Sequence, residues 1–123
     1  TPGQKHFVIV DAAMNDLIRP SFYEAFHEIV PVKRKRGKSI ATDVVGPICE
    51  SGDTFCKNRL LPPVKEGDHL ALLSAGAYAF TMASNYNTRP MPAEVLVQGA
   101  EHVVIRKRQQ TRSLFRGESL PEW

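Results

Sequence analysis

The apolar runs of this 123-residue chain are short, and most are stopped at once by glycine, proline or aspartate. Phe7-Val8-Ile9-Val10 ends on Asp11, Ile40 to Val45 ends on Gly46-Pro47, and Leu70 to Leu73 runs out into Ser74-Ala75-Gly76. Such runs are too brief for amphipathic helices and suit strands of four to eight residues. Several short strands at this spacing favour a β-barrel or sandwich over a parallel α/β sheet. The chain opens on Thr1-Pro2-Gly3-Gln4 without an initiator methionine, so it is expected to be one domain and a piece of something longer. With 42% hydrophobic and 24% charged residues it can bury a core without disulfides or disorder.

The individual elements follow from the same logic. Phe7-Val8-Ile9-Val10 carries three β-branched side chains and predicts a strand over 6–11 buried on both faces. Ala12 to Ile18 can begin a short helix, but the residue before Pro20 is pushed out of the α region, so that helix is limited to a turn or two. Pro20 itself can open a second turn carrying Ser21-Phe22-Tyr23. Residues 28–32 and 39–45 are strand-like and predict a hairpin joined by the basic run between them. A buried strand is expected over 68–74. Glu94 to Val97 and Glu101 to Arg106 predict another hairpin around Gln98-Gly99-Ala100. A short helix is expected over about 109–116.

The formal charge of +3 is concentrated, because five of the 16 cations fall in Lys33-Arg34-Lys35-Arg36-Gly37-Lys38. Outside that run the 13 acidic side chains outnumber the remaining cations. A nucleic-acid binder spreads its basic footprint along a face and interleaves aromatics, whereas this run reads as a solvated connection. No nucleic-acid partner is expected. Neither is a membrane partner, since no apolar run approaches the roughly 20 residues of a span. Cys49 and Cys56 have no zinc-like spacing, and His6, His27, His69 and His102 are scattered, so no metal is expected. The cysteine usage suits a reducing, cytoplasmic setting.

Three polar constellations stand out. Gly46-Pro47-Ile48-Cys49-Glu50-Ser51-Gly52-Asp53 places a thiol, two carboxylates and a hydroxyl in a loop directly after a strand. There Glu50 could bind an ammonium and Cys49 could pass a proton; a polar turn with a half-buried cysteine fits the same residues. Ser74-Ala75-Gly76-Ala77-Tyr78 reads either as a strand–glycine–helix junction that aims backbone N–H groups and a phenol at an anion, or as a tight turn. Arg19 and Tyr23, four residues apart, share a face if they lie on a helix, where Arg19 offers a fork for a carboxylate; they could equally be ordinary surface residues. Asn85-Tyr86-Asn87-Thr88-Arg89-Pro90 suits an ordered loop rather than a catalytic one.

In order, Val10-Asp11-Ala12-Ala13-Met14-Asn15-Asp16-Leu17-Ile18-Arg19-Pro20, then Gly46 to Asp53, then Gly76-Ala77-Tyr78 and Ser84-Asn85-Tyr86-Asn87 resemble the C-terminal part of the diaminopimelate decarboxylase family. The resemblance covers roughly residues 6–106. Residues 107–123 carry no motif of it and are expected to form a C-terminal helix or tail. It implies a mainly β domain of the alanine-racemase-like type, the whole of residues 1–123, without the N-terminal (β/α)8 barrel that completes such enzymes. It implies pyridoxal 5'-phosphate as cofactor, with the Schiff-base lysine, the phosphate loop and a second substrate-binding arginine all on that barrel.

By position, Cys49 resembles the family's proton donor and Glu50 the residue that meets the substrate's distal amino group. Arg19 and Tyr23 resemble the pair that holds the distal carboxylate, and Tyr78 the tyrosine that touches cofactor phosphate and substrate. The implied partners are the barrel half and a second subunit, in a homodimer whose active sites are shared. The implied activity is decarboxylation of meso-diaminopimelate to L-lysine, a lyase step in amino-acid biosynthesis that this chain alone would not perform. Decarboxylation of lysine, ornithine or carboxynorspermidine is the nearest rival, but a single-carboxylate substrate gives Arg19 nothing to bind. A small basic barrel that binds nucleic acid is the more distant one.

Overall fold

In a computed structural model, which describes residues 5–123, the chain is mainly β with two short helices. Strands β1 (His6–Ile9), β3 (Ile40–Val45) and β4 (Thr54–Leu61) form one sheet, with β1 parallel and β4 antiparallel to β3. Strands β2 (Ile29–Pro31) and β5 (Leu70–Leu72) form a second, and β6 (Glu94–Gln98) and β7 (Glu101–Arg106) a third. Among the described residues these three small sheets do not close into a barrel. No described helix is long and apolar enough to cross a membrane.

Side chains from the first two sheets meet in one core. Leu17, Ile29, Val44, Phe55 and Leu61 are buried together, with Val8, Val10, Leu70 and Leu72 packed around them. Burying a side chain of this size contributes roughly 1.5–3 kcal/mol, so this cluster holds the two sheets against each other. A parallel β1–β3 pair needs a long crossover. Here the crossover carries helix α1 (Arg19–Tyr23), which has Pro20 in its first turn and stops at Glu24 in left-handed geometry (φ 54). Packed against β4, α1 keeps Arg19 helical despite the pre-proline preference that predicts otherwise. The stretch from Ala12 to Ile18 is a turn and not the short helix expected: the Asp16 carboxylate accepts the Ala13 N–H (2.9 Å), a local bond that competes with helix.

The structure corrects four further expectations. Residues 28–32 and 39–45 do not pair, since β2 joins β5 while β3 sits between β1 and β4. The basic run is therefore no hairpin turn, and Lys35 within it pairs with Asp68 of the loop before β5. Strand β1 is not buried on both faces: Phe7 and Ile9 are 56% and 71% exposed and line a groove of about 620 Å³ with residues 64–70. Strand β5 is half-buried and shorter than expected. Finally, the helix over 109–116 is a single 3-10 turn, Thr111–Ser113.

Strand β4 has no counterpart among the expected elements. Its sequence, Thr-Phe-Cys-Lys-Asn-Arg-Leu-Leu, loses alternation at Asn58, which takes φ 51. The buried Asp43 carboxylate accepts the Asn58 N–H at 2.7 Å, and the β3–β4 register shifts there. A second register shift at Val44/Val45 restores the alternation that the first breaks, so Phe55 and Leu61, an even number of positions apart, both face the core.

Candidate active site

The loop after β3 is built around Asp53. Its carboxylate, in a residue only 2% exposed, accepts the Ile48 N–H and the Met14 N–H, each at 2.7 Å. The Gly46 N–H donates to the Asp53 carbonyl (2.9 Å), and the Asp53 N–H to that of Glu50 (3.0 Å). A Cβ at Gly46 would collide with the Asp53 carboxylate, so only glycine fits there. The two carboxylates of this loop therefore divide. Asp53 is turned inward as a brace, while Cys49 and Glu50 stand exposed.

Helix α1 adjoins this loop. The Ser21 oxygen lies 2.6 Å from where a Cβ at Gly52 would be, so the glycine permits the approach. Arg19 at the start of α1 is half-buried, and its guanidinium lies over the ring of Tyr78, 5.6 Å from the centroid. A cation over a ring at this distance is attracted to its face. Tyr23, one turn on, meets Phe22 edge to face at 4.9 Å and is 59% exposed.

Tyr78 is 65% exposed and takes φ 68 as the N-cap of helix α2 (Ala79–Met82). The junction expected after Gly76 is thus smaller than the sequence suggested. A one-turn helix has little dipole to offer an anion, and the phenol is the group left to do so.

One contact lies outside the expected set. The Tyr86 hydroxyl donates to Glu50 Oε2 at 3.2 Å, and that negative neighbour raises the phenol's pKa above its ordinary 10.0. The two are 36 positions apart in sequence. Nothing in the pattern around Tyr86 announces a partner, although its place in Ser84-Asn85-Tyr86-Asn87 was visible. Two thiols are free in the structure: Cys49 is exposed, and Cys56 is half-buried, with its pKa raised by that burial.

The structure thus joins Arg19 with Tyr78 and Glu50 with Tyr86, and sets the helix of the first pair beside the loop of the second. Among the described residues no side-chain hydrogen bond, ion pair or ring contact joins Tyr23 to another candidate. The arrangement defines a sheet domain that displays a thiol, a carboxylate, a guanidinium and phenols on its surface. Residues 1–76 match the family described as pyridoxal-dependent decarboxylase, C-terminal sheet domain, and the chain belongs to that family.

A diaminopimelate decarboxylase of Aquifex aeolicus is 56% identical over 107 residues, which are 87% of this chain and 26% of that protein. The crystal structure of diaminopimelate decarboxylase from Helicobacter pylori complexed with L-lysine aligns with a TM-score of 0.85 at 46% identity, covering 91% of this chain and 28% of that one. The M. jannaschii enzyme in co-complex with L-lysine aligns with a TM-score of 0.88 at 40% identity, over 94% and 26%. The chain spans about a quarter of the length of these relatives.

Proposed function

We propose that this domain serves a pyridoxal-phosphate-dependent decarboxylase that converts meso-diaminopimelate to L-lysine and carbon dioxide. The names of the relatives and the L-lysine bound in two of them support the substrate. The observation that carries the reading is the loop itself: Asp53 braces it from inside and leaves Cys49 and Glu50 exposed together. The (β/α)8 barrel and a second subunit complete the site, and the protein works in the cytoplasm.

Pyridoxal phosphate, when bound, supplies the electron sink for carbon dioxide loss. Among the described residues Tyr78 fits one edge of that group, since its exposed phenol can donate to a phosphate oxygen. The lysine that holds the cofactor belongs, on this reading, to the barrel; of the described lysines none is buried, and Lys35 is paired with Asp68. Cys49 Sγ holds the proton that goes to the carbon from which carbon dioxide has left, and the resulting thiolate is reprotonated from solvent.

At the far end of the substrate Glu50 meets the distal ammonium. Arg19 and Tyr23 hold the distal carboxylate, where the guanidinium makes charge-assisted bonds stronger than neutral ones. The Arg19 ring contact with Tyr78 would then link the distal grip to the cofactor edge.

The test is choice of substrate. In the full-length enzyme Arg19→Ala should cut kcat/KM for meso-diaminopimelate by roughly 10²-fold, about 3 kcal/mol, and leave any trace activity on L-lysine little changed. Arg19→Lys should not rescue it, because an ammonium cannot reproduce the fork. Equal losses on both substrates would show that Arg19 supports the fold and does not read the distal carboxylate.

A further inference from the structure

We infer that Tyr86 is a positioning residue for Glu50, aiming its carboxylate at the substrate's distal ammonium. The inference rests on the role proposed above for Glu50 and adds Tyr86, whose segment Asn85 to Pro90 suits by sequence an ordered loop rather than a catalytic one. A glutamate at an exposed loop tip has three rotatable side-chain bonds and is otherwise free to swing. The Tyr86 hydroxyl, 3.2 Å from Oε2, occupies one carboxylate oxygen and leaves Oε1 for a cation.

The loop that carries Tyr86 is held hard enough to serve. Asn15, 2% exposed, donates from Nδ2 to the Ser84 carbonyl (3.2 Å), and its backbone carbonyl accepts the Ser84 N–H (3.0 Å). Arg89 donates from Nε to Asn15 Oδ1 (2.9 Å) and from Nη2 to the Asp11 carbonyl (2.6 Å), and pairs with Asp16 at 3.8 Å. On the other side Gln109 Oε1 accepts both the Asn85 side-chain amide (2.6 Å) and the Met91 N–H (3.0 Å).

Between these anchors Asn87 and Thr88 both take left-handed geometry, φ 58 and 57. Non-glycine residues persist in that region where the surroundings over-determine them. The same Met14–Asp16 turn binds both loops: Met14 N–H anchors Asp53 of the Cys49–Glu50 loop, and Asn15 anchors the Tyr86 loop. Tyr86 and Glu50 are thus hung from one support, which fixes their separation.

The experiment is a double-mutant cycle in the full-length holoenzyme with Tyr86→Phe, Glu50→Gln and the pair. Tyr86→Phe keeps the ring and should raise KM for meso-diaminopimelate about 5-fold, with kcat within about twofold, as expected for the loss of one solvent-exposed hydrogen bond of typical net worth. In the Glu50→Gln background the same change should have no further effect. Additive effects, or an unchanged KM in Tyr86→Phe, would overturn the inference while leaving the role of Glu50 in place. If Glu50→Gln alone leaves KM unchanged, both fall.

A second readout is independent of turnover. The phenol signal lost in Tyr86→Phe should titrate above 10.0 in the wild type and move down in Glu50→Gln. No movement would show that the contact is absent in solution and would overturn the inference.

Discussion

The Cys49–Glu50 loop and the β6–β7 hairpin are built by opposite means. The loop has almost no repetitive structure and is held by backbone bonds within itself and by a buried carboxylate that also reaches the distant Met14 N–H. The hairpin is a continuous ladder apart from one register shift at Glu94/Val95, and among the described residues each strand pairs only with the other. Yet Val95, Leu96, Val97, Val103, Val104 and Ile105 are all between 50% and 65% exposed. One region is irregular and internally satisfied; the other is regular and carries uncovered apolar surface. Regular pairing satisfies backbone groups but buries little by itself. Precision in this domain comes from side-chain acceptors placed where the backbone has no ladder.

The largest expected effect therefore comes from removing the loop's brace. Asp53→Ala leaves the Met14 and Ile48 N–H groups without their acceptor, at roughly 1–3 kcal/mol for each buried donor. Hydrogen exchange at those two amides in the full-length protein should lose most of its protection, and turnover should fall with it. Retained protection would mean that the loop is held by something other than Asp53.

At the other end of the scale, Val97→Thr and Val103→Thr on the hairpin should each change stability by less than about 0.5 kcal/mol, read by thermal unfolding of the full-length protein. A loss several times larger would show that another part of the protein covers this surface, and the contrast between the two regions would then be one of partner and not of kind.

How far the chain could be read from its sequence follows the same division. The β6–β7 hairpin was legible because its pairing is local, with Gly99 in left-handed geometry (φ 59) at the turn. The supposed hairpin of residues 28–32 and 39–45 was not. Their real partners, β5 for one and β1 and β4 for the other, are chosen by packing around Val44, Ile29 and Leu61 and not by the turn between them. Strand β4 was hidden because the Asn58 bulge breaks its alternation and Lys57 and Arg59 make it look like a loop.

The family was legible from short motifs. What the motifs could not reveal was the division of labour inside Gly46 to Asp53. Glu50 and Asp53 are alike in sequence, and the Met14 and Ile48 N–H groups make one a buried brace while the other stays exposed and meets Tyr86. The Tyr86–Glu50 contact was closed to sequence reasoning for the same reason, since it depends on Asn15 and Arg89 drawing two remote loops together.

The central claim is that this domain delivers a proton to a reaction whose cofactor is held elsewhere, and turnover of Cys49→Ala in the full-length holoenzyme tests it most directly. With meso-diaminopimelate as substrate, kcat should fall by roughly 10²-fold, within the 10²–10⁴ range of a lost acid–base group, while KM changes little, as for a group that acts in the transition state and not in binding. A variant that turns over at the wild-type rate would contradict the account and reduce Cys49 to an exposed thiol on a well-braced loop.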